Sequence, residues 1–205
     1  MIDFDYAGRQ VRGVWRMVFG GGEWRDDIDP SIDGVFRSFW AFAFSTPFAL
    51  LAFGAGYRIA ASSPEFTKTI YAKAPLAVLF PTEIIALAAY WGASIAALVL
   101  AARSIGATRQ AGGLIVAYNW GQLLTFIISA IPAAILVITG DLDIFVLFAL
   151  PVVAASFFIN WRILRQSLPI NIGVTIFLMA LLTVVELSVN SAVTYAIVSL
   201  YLLFS

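Results

Sequence analysis

The chain runs in long apolar blocks separated by short polar ones, and a helical amphipathic period shows only near its N-terminus. The clearest block is residues 81–102, PTEIIALAAYWGASIAALVLAA, which from Ile84 onward carries no charge for nineteen residues. That is close to the ~20 residues a helix needs to cross a hydrocarbon core about 30 Å thick. Small residues recur inside it. Ala88, Gly92 and Ala96 fall every four residues, and Ala89, Ala93, Ala97 and Ala101 form the adjacent row. Two such rows make a smooth face on which another helix backbone can lie closely. The block is therefore expected to be the central packing helix, with the other spans gathered round it.

Four more blocks predict spans. The first covers residues 35–57, with Pro47 bending it and Ser45 or Thr46 compensating the carbonyls a proline frees. Residues 62–80 read as a polar loop and a surface stretch too short to cross, so Pro81 is expected to open the second span. Glu83 then falls in its first turn, where an acid suits the helix N-terminus, although an acid inside a membrane segment is also a functional candidate. The third span, residues 112–138, holds Tyr118, Asn119, Gln122, Thr125 and Ser129. Tyr118, Gln122, Thr125 and Ser129 follow at three- or four-residue steps and share a face. Amides in lipid must find partners, so this face is expected to meet other helices or a wet cavity. With Glu83, the residues Tyr118, Asn119, Gln122 and Thr125 make up the candidate polar pocket.

The fourth span, residues 144–160, contains Pro151 and closes on Trp161, Arg162 and Arg165, an interface signature. The fifth, residues 170–187, ends on Glu186, which on that reading is interfacial. Residues 188–205 are apolar on every side. One helix through 170–205 would measure ~54 Å, much more than the bilayer. A break is therefore expected at 188–191, leaving the tail as a sixth span or a partly inserted helix.

The N-terminal pattern differs. Over residues 6–19, Val11, Val14, Trp15, Val18 and Phe19 lie on one side and Arg9, Arg12 and Arg16 on the other. Such a helix lies at a membrane surface near anionic headgroups, with Arg9, Arg12, Arg16 and Trp15 as its contacts. Gly20, Gly21 and Gly22 read as a hinge. The acidic run Glu23, Asp26, Asp27, Asp29 and Asp33 lacks EF-hand spacing and reads as a solvated turn balancing Arg25 and Arg37. The expected architecture is all-α: residues 1–33 form a cytoplasmic amphipathic helix and acidic linker. Residues 34–205 form a polytopic transmembrane bundle of five spans plus the C-terminal segment.

Composition narrows the function. With 61% hydrophobic and 12% charged side chains in 205 residues, the chain is one integral membrane domain, since soluble proteins carry about 25% charge. A net charge of zero gives no electrostatic case for nucleic acid. The absence of Cys and His removes disulfides, thiolate and imidazole metal sites and His-based acid–base chemistry, so no cofactor, metal or catalytic role is expected. The acidic start, MIDFDYAGRQ, is unlike a cleaved signal peptide. Nine basic residues (Arg9, Arg12, Arg16, Arg25, Arg37, Arg103, Arg109, Arg162, Arg165) map to one side and Arg58, Lys68 and Lys73 to the other. The positive-inside bias then puts the N-terminus in the cytoplasm, with a bacterial inner membrane as the expected location.

This layout resembles bacterial members of the Yip (Ypt-interacting protein) membrane family: a cytoplasmic amphipathic N-terminus, about five spans, short loops and an apolar end. The resemblance is one of topology. The eukaryotic Asp-Leu-Tyr-Gly-Pro-type and Gly-Tyr motifs have no match in their expected setting, so neither functional residues nor Rab GTPase binding transfer. Two functions compete. One is a non-catalytic accessory subunit that organises lipid or a membrane complex, its partners being the bilayer and other subunits or itself. The alternative is a small transporter or channel with a polar face on the third span. On the first reading Gly92→Leu disrupts assembly, whereas Asn119→Leu does little unless its face lines a site.

Overall fold

The computed structural model describes residues 3–20 and 23–204; Gly21 and Gly22 of the expected hinge lie outside them. Seven α-helices follow in order: α1 Phe4–Phe19, α2 Ile32–Ser38, α3 Trp40–Ala61, α4 Leu76–Ser104, α5 Ala111–Thr139, α6 Leu142–Ser167 and α7 Ile172–Phe204. Among the described residues there is no strand. Five segments are long and apolar enough to cross a membrane: Ile32–Ala61, Leu76–Ser104, Thr108–Thr139, Leu142–Ser167 and Ile172–Phe204. The protein is an integral membrane helical bundle. Large apolar side chains such as Leu147, Leu150, Phe177 and Leu187 face outward, where hydrocarbon is the natural neighbour.

Local chemistry sets the boundaries. Asp3, Ser31 and Asp141 cap α1, α2 and α6 by accepting from Tyr6, Gly34 and Ile144 backbone N–H groups, and Asn171 accepts from Val174 at the start of α7. Gly140, left-handed at φ 69°, ends α5 where a Cβ would be strained. The first span is divided at Phe39 into α2 and α3. Pro47 sits within α3, and the Ser45 and Thr46 hydroxyls donate to the Ala41 and Phe42 carbonyls, 2.7 and 2.9 Å away. These are the turns just before Ala43, whose carbonyl the proline deprives of a donor.

Three expectations about the spans are corrected. α4 starts at Leu76, and Pro81 is inside it, so Glu83 lies seven residues in, ~10 Å along the axis, not in the first turn. α7 is unbroken over 33 residues, a length of ~50 Å. Beyond Gly173 it contains neither glycine nor proline, and Ser188, Asn190 and Ser191 alone do not interrupt a helix. Among the described residues there is thus no separate sixth span. One face of the excess length is covered: Val198 and Tyr201 pack with Ile70, Tyr71, Ala74 and Leu79 from the loop before α4 and its first turn.

The third correction concerns the centre of the bundle. α5 is the hub, packed against α1, α2, α3, α4 and α6, while α4 pairs mainly with α7. The buried stripe of α4 is Leu87, Trp91, Ser94, Leu98 and Ala102. Ala88, Gly92 and Ala96 are exposed, with Ala89, Ala93 and Ala97 half-buried beside them, and a Cβ on Gly92 would meet nothing within 4 Å. Inside this chain the large side chains, and not the small-residue rows, direct the packing of α4. Close approach occurs instead at Gly121 of α5, where a Cβ would collide with Ile163 of α6.

α1 docks onto the bundle. Its buried face is Tyr6, Gln10, Val14, Met17 and Val18, continuous with the core of α4, α5 and α6. Gln10, fully buried, donates to the Asp27 carbonyl at 2.7 Å and accepts from the Asp29 N–H at 3.1 Å, which fastens the acidic linker onto α1. Arg162 of α6 donates to the Val18 carbonyl at 2.9 Å, placing a cation at the C-terminus of α1.

Candidate functional site

Two polar groups on α5 lie one turn apart and have different fates. Asn119, fully buried, accepts from the Trp91 indole N–H at 2.7 Å and donates to Ser38 Oγ at 2.8 Å. Ser38 in turn donates to the Val35 carbonyl at 2.7 Å. This knot joins α2, α4 and α5 and is closed by rings, with Phe42 edge-on to Trp91 and Phe126 stacked on it.

Gln122 and Thr125 open instead onto a cavity of about 240 Å³ between α4, α5, α6 and α7. Tyr90 and Thr125, the midpoint residues of α4 and α5, line it, as do Ser156 and Glu186, within two residues of the midpoints of α6 and α7. The cavity therefore sits midway along these four helices. Tyr118, Ser94, Ser129, Asn160 and Thr183 complete its polar wall, and Phe126, Val153, Phe157, Met179 and Leu182 its apolar part. Thr125 Oγ1 is buried with no hydrogen-bond partner among the described residues. Burying a hydroxyl unpaired is costly, so a polar guest in the cavity gains a hydrogen bond from Thr125.

The wall is rich in acceptors. Ser156 and Thr183 spend their hydroxyl protons on the Val152 and Met179 carbonyls, which leaves oxygen lone pairs for the cavity. Asn160 Nδ2 donates to the Ser156 carbonyl at 3.0 Å, so its Oδ1 faces Gln122 and accepts from Gln122 Nε2 at 3.0 Å. The Gln122 carbonyl oxygen is then the end not spent on Asn160. Glu186 adds a carboxylate, and the lining contains no Lys or Arg among the described residues.

Of the expected pocket residues, Tyr118, Gln122 and Thr125 are brought together here. Asn119 belongs to the closed knot, and Glu83 is outside the lining. Glu83 lies toward the loop before α4, where burial, and after it the Glu83 carboxylate, raise the Tyr71 phenol above its ordinary range. The main omission from the sequence-derived pocket is Glu186. It lies fourteen residues into α7 and eighteen from its end, well inside an unbroken helix and not at the helix end that the expected break would have given it. The signal available was the lack of any helix breaker from 174 to 204.

The surface set on α1 divides. Trp15 is 55% exposed and Phe19, 4.3 Å from it between ring centroids, is 52% exposed. Arg16 and Arg12 turn to Asp27, at 2.7 and 3.9 Å. Arg9 lies over the Tyr6 ring. The acidic linker thus takes part of the arginine face, and Arg37 pairs with Asp33 at 2.8 Å.

Comparison with known proteins finds no matching family model, no matching curated protein and no matching solved structure.

Proposed function

We propose that this chain is a small transporter or channel that takes a small polar solute into the cavity between α4, α5, α6 and α7. The observation that carries the reading is that cavity: the central turns of four spans converge on it, with the buried Thr125 hydroxyl left unpartnered. A dry structural bundle saturates its polar groups within itself. At about 240 Å³ the space is below the ~300–1,000 Å³ of pockets for drug-sized molecules, so the solute is small. The nine-to-three asymmetry of basic residues supports a cytoplasmic α1 layer, in a bacterial inner membrane.

The chain has no cysteine, so single-cysteine labelling tests this directly. Ser156→Cys and Thr183→Cys are placed in sealed vesicles and exposed to a small, uncharged, water-soluble thiol reagent. Labelling at both positions is the expected result. Failure at both, in folded protein, contradicts a solute cavity.

The accessory-subunit reading is favoured by a different observation, the exposed row of Ala88, Gly92 and Ala96, which offers a smooth face to another helix. Mild-detergent extraction followed by native mass spectrometry separates the two. Stoichiometric larger subunits support an accessory role; a lone chain or small homo-oligomer supports transport.

A further inference from the structure

Resting on the solute-cavity reading, we infer that the solute is a small organic monocation, its charge held by Glu186, entering from the bilayer between α6 and α7. Three independent features point to this chemistry.

The first is charge. Glu186 is the one acidic side chain in a lining that holds no Lys or Arg among the described residues, so a bound cation is the guest that lets it stay ionised away from water. The second is hydrogen bonding. Ser156, Thr183 and Asn160 have committed donors to protein carbonyls, so on α6 and α7 it is their oxygens that are left to the cavity beside Glu186. Oxygen acceptors favour a cation.

The third is the route. A shallow apolar groove lies on the lipid-facing side between α6 and α7, lined by Phe158, Trp161, Ile176 and Val184 among others. Phe157, Met179 and Thr183 line both the groove and the cavity, so the two adjoin. α6 and α7 touch only sparingly although they are consecutive. An inorganic cation with a tight water shell gains nothing from such an apolar mouth. A cation carrying apolar groups partitions into the bilayer and presents its charge to Glu186 after passing Phe157.

The test uses the purified full chain and benzyltrimethylammonium as probe, with benzenesulfonate as the anionic control, followed by calorimetry. Saturable binding of the cation and none of the anion is expected, with at least tenfold weaker binding in Glu186→Gln and no change in Glu83→Gln. Equal affinity in Glu186→Gln, equal binding of benzenesulfonate or no saturable binding to the wild type overturns the inference. Should Glu186→Gln fail to fold, Thr183→Cys with Glu186 intact gives the answer. Benzyltrimethylammonium slows its labelling if the inference holds and leaves it unchanged if it does not. Labelling of Ser156→Cys that persists while the cation fails to bind sinks only the cation assignment; no labelling at all sinks the cavity reading as well.

Discussion

Asn119 and Gln122 are both amides, three residues apart on the same buried helix, yet one is a rivet and the other is part of a wall. Asn119 is satisfied on both sides by Trp91 and Ser38. Gln122 spends its amide nitrogen on Asn160 and lines the cavity with Thr125, whose hydroxyl has no partner among the described residues. The layer of α1, α2 and the acidic linker holds more groups of the Asn119 kind: Gln10 is satisfied at both ends, Asp27 is paired with arginine, and the Tyr6 hydroxyl donates to the Gly34 carbonyl at 3.2 Å. In a membrane chain, being polar and buried does not separate structure from function. Whether the polar groups have been used up does.

The largest expected effect is at the rivet. Asn119→Leu orphans the Trp91 indole and the Ser38 hydroxyl, and at ~1–3 kcal/mol for each unsatisfied group it should cost several kcal/mol in a detergent unfolding assay. This reverses the expectation that leucine is tolerated there.

Next is Tyr6, in the same closed layer. Burial, and after it the Asp29 carboxylate, push its pKa up to about 12 from 10.0. The folded state therefore favours the neutral phenol. Its contribution is full below pH 10 and is lost as pH rises through 12, by about 2–3 kcal/mol at ~1.4 kcal/mol per unit. Relative to Tyr6→Phe, the wild type should lose stability between pH 10 and 12, measured by thermal unfolding at each pH.

Gly121→Val should cost about 1–3 kcal/mol, typical of overpacking, because the added carbons meet Ile163. Thr125→Val sharpens the contrast by its sign. Removing an orphaned hydroxyl should be neutral or slightly stabilising while slowing reagent access to the cavity. The smallest effect on the monomer is expected for Gly92→Leu, since nothing lies near it; a change in its oligomeric state by native mass spectrometry would report on a partner at the small-residue row.

The sequence made some of this legible and concealed the rest for physical reasons. Apolar block length gave the five spans, and helical spacing gathered Tyr118, Gln122 and Thr125. Asn119 was drawn into the same group because spacing shows which face a residue occupies, not whether another helix brings it a partner. Pro81 was read as a helix start, yet proline within a membrane helix is tolerated where neighbours re-satisfy the backbone. Glu186 was placed at an interface by a length argument that assumed a helix ends with the hydrocarbon. α7 continues past it, with Val198 and Tyr201 packed on the loop before α4. The small residues of α4 were legible as a smooth face, but Leu87, Trp91 and Leu98 on another face buried more surface and decided the packing.

The most direct test compares one cysteine from each region, Ser38→Cys in the closed knot and Ser156→Cys in the cavity wall, by rate of labelling with the same small polar reagent in sealed vesicles. Labelling of Ser156→Cys at least tenfold faster is the result expected if the cavity admits solute and the knot excludes it. Equal rates, or a faster reaction at Ser38→Cys, would contradict the division between spent and unspent polar groups on which the functional assignment rests.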